Sequence, residues 1–376
     1  MRKLYSKPKK IGGIELKNRF VRSATGERIA SEDGRVTDDL IQFYKVLAEG
    51  GVGLIITGVT YVLSNGKSIP NQLAIDKDDL IPGLKNLTDA VHKYGENCKI
   101  AVQLHHSGRQ SMVLENPPAP SVVIEPTFNV TPKEMTIMDI EDTVDAFAEA
   151  ARRAKKADFD AIQLHAAHGY LLSQFLSPYT NKRTDRYGGS TENRIRIIEE
   201  IYKKTVDMVG KEFPILIKIN VDDFLEGGIK LDESMKIAKK FSQMGFAAIE
   251  TSGCMWEVIL RTKKELGWHP AFNPEARTDI NSKEKEAYHL PYAKEIKKVI
   301  NVPLILVGGI RSLDVIEKIL KEESADFIGL CRPLIREPDL PNKWLKGIGK
   351  TTCECISCNG CTASLLSGSI RCTQKK

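Results

Sequence analysis

Residues 161–165, with the sequence AIQLH, form a short and largely apolar run that ends in a histidine. A run of this length is typical of a strand that is buried on both faces of a parallel sheet. Seven further runs of the same kind lie along the chain, separated by longer stretches. The eight predicted strands are residues 19–24, 53–57, 99–104, 161–165, 215–220, 247–252, 304–309 and 327–330.

The stretches between these strands have the pattern of amphipathic helices. Residues 140–158 carry apolar side chains at spacings of three and four, and residues 190–209 begin with a Ser/Thr pair that can cap a helix. Residues 232–245 end in a glycine, as a helix C-terminus should. Eight strand–helix units in tandem predict an α/β protein with a (β/α)8 TIM barrel. The pattern alone leaves an open, doubly wound sheet as the alternative.

We expect the barrel to occupy residues 1–345 and a Cys-rich C-terminal tail, residues 346–376, to pack on or beside it. Two long segments interrupt the repeat after the third and the sixth strand, at residues 106–138 and 253–286. Both leave from the C-terminal mouth of a barrel, where binding sites are built, so we expect them to shape substrate choice. The second segment carries Trp256, Trp268 and His269.

Composition narrows the class of protein. The net charge of +6 is small and scattered over 376 residues, which argues against a nucleic-acid partner. The basic N-terminus is not followed by the apolar stretch of a secretory signal. The most apolar run, residues 51–63, is too short and too rich in Gly and Thr to span a membrane. We therefore expect a cytoplasmic protein whose eight cysteines are reduced thiols or metal ligands.

Two glycines and an arginine at the last strand ends indicate a phosphate site. The sequence VGGIRS at residues 307–312 allows close backbone approach at Gly308 and Gly309, and a helix with free N–H groups is predicted to follow. Arg332 follows the eighth strand, and barrels commonly bind phosphate at strands seven and eight. The alternative is that the glycines only form a tight turn. Their pairing with Arg332 favours phosphate.

His165, His168 and Tyr170 lie together at the end of the fourth predicted strand. Three interpretations are open. A His-x-x-His metal site needs a further ligand, and no acidic residue nearby has a metal-binding spacing. The histidines can also be structural, bonded to loop backbone. In the third interpretation they donate hydrogen bonds to a carbonyl oxygen that gains negative charge, while Tyr170 delivers a proton.

Five stretches resemble the Old Yellow Enzyme family of FMN-dependent oxidoreductases. They are IGGIELKNRFVRSAT (11–25), VQLHHSGR (102–109), HAAHGYLLSQFLSPYTNKRTDRYGGSTENRIR (165–196), and the pair VGGI (307–310) with RPLIREPDLP (332–341). The likeness extends over nearly the whole chain. It implies that FMN lies in the barrel mouth, with its phosphate at strands seven and eight.

The resemblance also implies roles for individual residues. His165 and His168 correspond to the pair that binds the oxygen of an enone, and Tyr170 corresponds to the proton donor. Lys218 lies near N1 and the C2 oxygen of the flavin, where a cation stabilises the reduced ring. The remaining implied flavin contacts are Ala24 and Thr25 at the ring, Gly58 beside it, Gln103 at the pyrimidine edge, and Gly308, Gly309, Cys331 and Arg332 at the phosphate.

The implied reaction is that of an NAD(P)H-oxidising ene-reductase. Hydride passes from NAD(P)H through flavin N5 to the activated C=C bond of an α,β-unsaturated carbonyl compound, and Tyr170 protonates the neighbouring carbon. Because both partners use one site, we expect ping-pong kinetics. We further expect a homo-oligomer with small-molecule substrates.

Five of the eight cysteines crowd the C-terminus, and four of them, Cys355, Cys358, Cys361 and Cys372, have the spacing C-x2-C-x2-C-x10-C. Longer members of the Old Yellow Enzyme family bind a [4Fe–4S] cluster after the barrel, through four cysteines whose spacing is one residue wider. Thiolates also suit zinc. The alternatives are therefore an iron–sulfur cluster, a zinc ion, and a metal-free thiol-rich tail.

Two other functions remain as alternatives to the ene-reductase. The chain can be a flavin and iron–sulfur electron-transfer subunit that works with a partner reductase. It can also be a His/Cys metallohydrolase, although that function leaves the sequence VGGIRS and Lys218 unexplained.

Overall fold

A computed structural model describes residues 3–375 and contains a closed barrel of eight parallel strands. Met1, Arg2 and Lys376, which the predicted domain boundaries include, lie outside these residues. The strands are β1 (Phe20–Arg22), β2 (Leu54–Tyr61), β3 (Lys99–His105), β4 (Ala161–Ala166), β5 (Ile215–Asn220), β6 (Ala248–Ser252), β7 (Leu304–Leu306) and β8 (Phe327–Leu330).

Each barrel strand pairs with its neighbour in the sequence, and β8 pairs with β1 through Ile328 and Phe20. This last pairing closes the sheet. The TIM barrel predicted from the sequence is therefore confirmed, and the open sheet is excluded.

Helices surround the barrel. They are α1 (Asp38–Glu49), α2 (Ile81–Tyr94), α3 (Ile137–Lys156), α4 (Leu171–Leu176), α5 (Thr191–Val209), α6 (Leu231–Met244), α7 (Lys263–Leu266), α8 (Leu290–Lys297), α9 (Leu313–Lys321), α10 (Arg332–Arg336), α11 (Leu340–Lys346) and α12 (Gly360–Ala363). None of the helices in residues 3–375 combines the length and the hydropathy that a membrane crossing requires.

Alternation along the strands separates two apolar cores. On β2, Leu54 and Ile56 point into the barrel and Ile55 points toward the helices. The barrel interior is filled by small and branched side chains, and its lower end is closed by a hairpin of Lys9–Ile11 and Ile14–Leu16. Because the lower interior is packed with apolar side chains, polar groups can converge only at the upper, C-terminal end.

Element boundaries differ from the prediction at β7. The strand ends at Leu306 and not at residue 309, because Gly308 and Gly309 adopt φ angles of 129° and 69° that a β-ladder does not accommodate. The chain therefore leaves the strand three residues earlier and brings both glycines to the barrel mouth.

The two long segments follow β3 and β6, as the sequence indicates, and they contact each other. Arg109 forms an ion pair with Glu257, and both side chains are almost fully buried. The Arg109 guanidinium also donates to the backbone oxygen of Ile124 at 2.8 Å. This buried arginine ties the first segment to the second above the barrel mouth.

The C-terminal tail contacts the barrel at several points. The backbone N–H of Cys353 donates to Arg311 at 2.9 Å, and that of Ile370 donates to Glu27 at 2.9 Å. The side chain of Arg28 donates to the backbone oxygen of Leu365. The division into a barrel and a separate tail domain stays a prediction.

Candidate active site

A cavity of about 420 Å³ opens at the C-terminal ends of the strands. It is lined by both long segments, by the strand ends and by the tail. Of the residues that the sequence indicates for catalysis and flavin binding, the cavity brings together all except Gly58: Ala24, Thr25, Gln103, His165, His168, Tyr170, Lys218, Gly308, Gly309, Cys331 and Arg332.

Gly58 lies behind the cavity wall. Its backbone N–H is within 2.9 Å of both the Glu27 carboxylate and the Tyr44 hydroxyl. A Cβ atom at this position would lie 2.0 Å from Glu27 Oε2 and 2.5 Å from the backbone oxygen of Thr25. Glycine is therefore required here because the Thr25 segment packs directly on its backbone.

A buried polar layer forms the floor of the cavity. The Lys218 ammonium lies 3.0 Å from Glu250 Oε1, and the second carboxylate oxygen accepts a hydrogen bond from Gln163 at 2.8 Å. Gln103 in turn donates to Gln163 at 2.7 Å. Ser23 from the end of β1 accepts a hydrogen bond from Lys218 at 3.1 Å. Lys218 and Gln103, both predicted from the sequence, are held by Gln163 and Glu250, which were not.

His165, His168 and Tyr170 converge above this floor. The ring centroid of His165 lies 5.1 Å from that of His168 and 5.0 Å from that of Tyr170. His105 packs edge-on against Tyr170 at 4.5 Å. The three predicted residues therefore form one cluster, and the ring of His105 packs against it.

Both histidines are neutral. Burial lowers the pKa of His165 and that of His168 well below the ordinary value, and the positive charge of Lys218 adds to the effect. A neutral imidazole has one N–H donor and one acceptor nitrogen. The pair can therefore donate hydrogen bonds without carrying charge.

The orientation of His168 is fixed by the two following strands. Its backbone N–H donates to Asn220 Oδ1 at 3.0 Å. The φ angle of His168 is 63°. Its Nε2 lies 2.7 Å from the Ser252 hydroxyl. Nδ1 faces Glu275, 4.0 Å from Oε1. Asn220 and Ser252 end β5 and β6, so neighbouring strand ends hold the histidine.

Tyr170 keeps its proton at neutral pH. Burial raises the pKa of its hydroxyl above the ordinary value, and the nearby Glu275 carboxyl raises it further. Glu275 itself comes from the segment after β6, and burial raises its pKa to about 7. This carboxyl was not identified from the sequence, since no strand end or motif marks it.

Three aromatic residues from the two long segments lie at the mouth. Trp256 packs between Phe128 from the first long segment and Phe272 from its own, with ring centroids 5.5 and 5.6 Å away. All three line the cavity. Trp268 lies outside it, stacked on Arg277, and His269 is exposed. Of the three residues expected to shape substrate choice, only Trp256 reaches the cavity.

The predicted phosphate end contains the two glycines and several arginines. A Cβ at Gly308 or Gly309 would lie 2.8 to 2.9 Å from the ring of Tyr288, so only glycine fits. Arg332 lines the cavity and donates to Asn359 Oδ1 at 2.6 Å. Arg311, a third group from the VGGIRS sequence, also lines it.

The helix after this turn differs from the prediction. The N–H groups that lead into α9 are not free. The Glu286 carboxylate accepts from the backbone of Arg311 at 2.7 Å and of Ser312 at 2.9 Å, and the N–H of Leu313, the first residue of α9, donates to the backbone oxygen of Thr351 at 2.9 Å. A carboxylate at the positive end of a helix is electrostatically favourable. An anion bound here is therefore left with the glycine backbone and the arginine side chains.

Four of the five C-terminal cysteines line a second, smaller cavity of about 20 Å³ together with Arg332 and Arg336. Cys353 does not line it, and Arg332 lines both cavities. Within residues 3–375, no three His, Cys, Asp or Glu side chains already surround a common metal position. Burial raises the pKa of Cys361 to about 12. The four cysteines that share this cavity are Cys355, Cys358, Cys361 and Cys372.

Residues 3–351 match the NADH:flavin oxidoreductase / NADH oxidase family, and the chain belongs to this family. The NADH oxidase of Thermoanaerobacter brockii is 40% identical over 362 residues, which cover 94% of this chain and 52% of that protein. An NADPH dehydrogenase from a Geobacillus species is 36% identical over 348 residues, with coverage of 92% and 94%. The old yellow enzyme homologue of Zymomonas mobilis has a TM-score of 0.75 and 26% identity, with coverage of 93% and 94%.

These similarities confirm the resemblance to the Old Yellow Enzyme family that the sequence motifs indicate. The chain spans about half the length of the Thermoanaerobacter brockii relative, 52%, and nearly the full length of the Geobacillus one, 94%.

The elevated pKa of Glu275 predicts a pH-dependent stability. Folding raises this pKa from 4.5 to about 7, so the folded protein holds a proton that the unfolded chain loses between these values. The contribution is complete below about pH 4.5 and is lost as the pH rises to about 7. The free energy of unfolding of the wild type, measured relative to Glu275→Gln by urea titration, should therefore fall across this range. The exposed Glu226→Gln serves as control. A wild-type-minus-variant difference that does not change with pH would contradict the assignment.

Proposed function

We propose that this member of the NADH:flavin oxidoreductase / NADH oxidase family binds FMN and reduces the activated C=C bond of an α,β-unsaturated carbonyl compound with NAD(P)H. The observation that carries the proposal is the convergence of two neutral histidines and a protonated tyrosine over a buried floor that presents Lys218.

The residues present fit FMN. The cavity is large enough for a planar ring. At the predicted phosphate end of the cavity, Gly308 and Gly309 leave space that a Cβ atom would fill. His289 lines the same cavity, and neither of its ring nitrogens has a hydrogen-bond partner among residues 3–375. Buried polar atoms are normally hydrogen-bonded, so these groups call for a polar ligand. Gln103, Lys218, Gly308, Gly309, Arg311 and Arg332 would hold it.

When bound, FMN supplies the capacity to accept a hydride from a nicotinamide and to pass it to a carbon atom. Lys218 places a positive charge at the cavity floor, where it favours a negatively charged ring. Glu250 keeps that ammonium in position, because the two side chains are buried together.

The histidines hold the substrate oxygen. If the Ser252 hydroxyl donates to Nε2 of His168, then Nδ1 carries the proton and faces the cavity. His165 offers a second ring nitrogen to the same space. Two neutral N–H donors aimed at a carbonyl oxygen stabilise the negative charge that develops there during reduction, and one such donor is worth about 3 kcal/mol.

Tyr170 supplies the proton. Its hydroxyl lies in the same cluster, and its raised pKa keeps it protonated until the substrate carbon becomes basic. The aromatic rings of Phe128, Trp256 and Phe272 line the same cavity.

A second function, electron transfer, is favoured by the grouping of the tail cysteines. We propose that Cys355, Cys358, Cys361 and Cys372 bind an iron–sulfur cluster, with zinc as the alternative, and that a partner reductase exchanges electrons with it. All four line one cavity, and thiolate ligands from four cysteines are what such a cluster requires. Since Arg332 lines both cavities, the two sites are neighbours. The metallohydrolase receives no support, because the chain belongs to a family of flavin oxidoreductases.

Replacing Tyr170 by phenylalanine separates the two half-reactions. The variant should oxidise its reduced flavin with cyclohex-2-enone at least about 100-fold more slowly, because general acid catalysis contributes this much. Flavin reduction by NAD(P)H should change little, since no proton is delivered in that step. Anaerobic stopped-flow absorbance measures both rates. Tyr202→Phe, outside the cavity, is the control. Equal slowing of both half-reactions would remove Tyr170 from the role of proton donor.

Anaerobic purification followed by iron and acid-labile sulfide analysis tests the tail. We expect about four irons and four sulfides per chain, and their loss in Cys358→Ser, because four thiolates are needed. Cys98→Ser, a buried cysteine remote from the tail, should keep the metal. Protein that is free of iron and zinc when prepared without oxygen would refute the metal site and leave the flavin chemistry untouched.

A further inference from the structure

Gln110 is a buried amide that lacks a hydrogen-bond partner. Only 3% of its surface is exposed, and within residues 3–375 neither its Oε1 nor its Nε2 atom is bonded to another side chain or to backbone. It lies five residues beyond the end of β3 and lines the cavity of the candidate active site. An amide that is buried without partners costs free energy, so a ligand in the cavity is the natural partner.

The position of Gln110 places the amide beside the reacting groups. A Cβ built on Gly169 would lie 2.4 Å from Gln110 Nε2, so the amide packs against the backbone between His168 and Tyr170. That backbone forms no hydrogen bond with it. The N–H of Gly169 already donates to the Ser173 hydroxyl at 3.2 Å, and its carbonyl oxygen accepts from Gln174 at 2.6 Å.

We propose that Gln110 is a specificity-determining residue that recognises the primary carboxamide of the nicotinamide ring of NAD(P)H. Its Oε1 accepts a hydrogen bond from the carboxamide NH2, and its Nε2 donates one to the carboxamide oxygen. A primary carboxamide presents one donor and one acceptor side by side, which is the complement of a glutamine side chain. This inference rests on the proposed use of NAD(P)H at the same site.

Other ligand groups match the amide less well. The carbonyl of an enone only accepts hydrogen bonds, so it would leave Oε1 of Gln110 unpaired. A carboxylate has the same limitation, and it would also lie near the Glu275 carboxyl that lines the cavity. Gln110 therefore favours the nucleotide over the enone, although both occupy one cavity.

The test compares two nucleotides that differ only in this group. NADH and reduced 3-acetylpyridine adenine dinucleotide share the ring carbonyl, but a methyl group replaces the NH2 in the second. Anaerobic stopped-flow reduction of the bound flavin, followed over a range of nucleotide concentrations, gives a Kd for each. Gln110→Met should raise the Kd of NADH about tenfold through the loss of two hydrogen bonds, and that of the acetyl compound about threefold through the loss of one.

Further variants keep the result interpretable. Gln110→Asn retains both the donor and the acceptor on a shorter side chain, so it should weaken NADH binding less than Gln110→Met does; it serves if the methionine variant loses its flavin. Val113→Ala, an exposed position on the same segment, is the matched control. Each variant is compared only with its FMN bound.

Two results would overturn the inference. Equal changes of both Kd values in Gln110→Met, or no change in either, would show that Gln110 does not recognise the carboxamide. Wild-type protein whose bound flavin is not reduced by NADH or NADPH would overturn the proposed function and this inference together. That failure is seen before any variant is compared, so the two outcomes are distinguishable.

Discussion

The ion pair between Lys218 and Glu250 determines the arrangement of the active site. The two residues are partners in the register of β5 and β6, and His165 is the partner of Lys218 on β4. Both charged side chains are buried, with exposed fractions of 5% and 0%. Burying an ion pair costs free energy unless its other polar atoms also form hydrogen bonds. Here Gln163 donates to the second oxygen of Glu250, and Lys218 donates to Ser23. The register of three neighbouring strands therefore places a histidine, a cation and its counter-ion side by side.

The parts of the chain outside the barrel complete the site through a few buried contacts. Arg109 and Glu257 join the two long segments, whose aromatic residues cover the mouth. The tail reaches the second segment as well, since the Asn359 side chain donates to the backbone oxygens of Phe272 and Ala276. Arg332 donates to Asn359 and lines both cavities. The proposed flavin site and the proposed cysteine site therefore share structural support.

Much of the fold follows from the sequence because burial imposes a simple pattern. Each barrel strand is a short apolar run, and the carboxyl ends of parallel strands must meet at one end of the barrel. His165, Lys218 and Arg332 could therefore be placed at one mouth before any distance was known. The partners that hold them could not. Ser252 lies 84 positions from His168, and nothing in either local sequence marks the contact. Glu286, which occupies the start of the helix after Gly309, and Gln110 come from irregular segments whose conformation depends on packing against other loops.

We propose that this barrel mouth carries electrons from a nicotinamide to an activated alkene through bound FMN. The most direct measurement is a single anaerobic titration followed by absorbance. The purified protein should show the two visible bands of oxidised flavin, lose them with one equivalent of NADH or NADPH, and regain them when cyclohex-2-enone is added without oxygen. A colourless protein that takes up no FMN would contradict this function, and so would a reduced flavin that the enone cannot reoxidise.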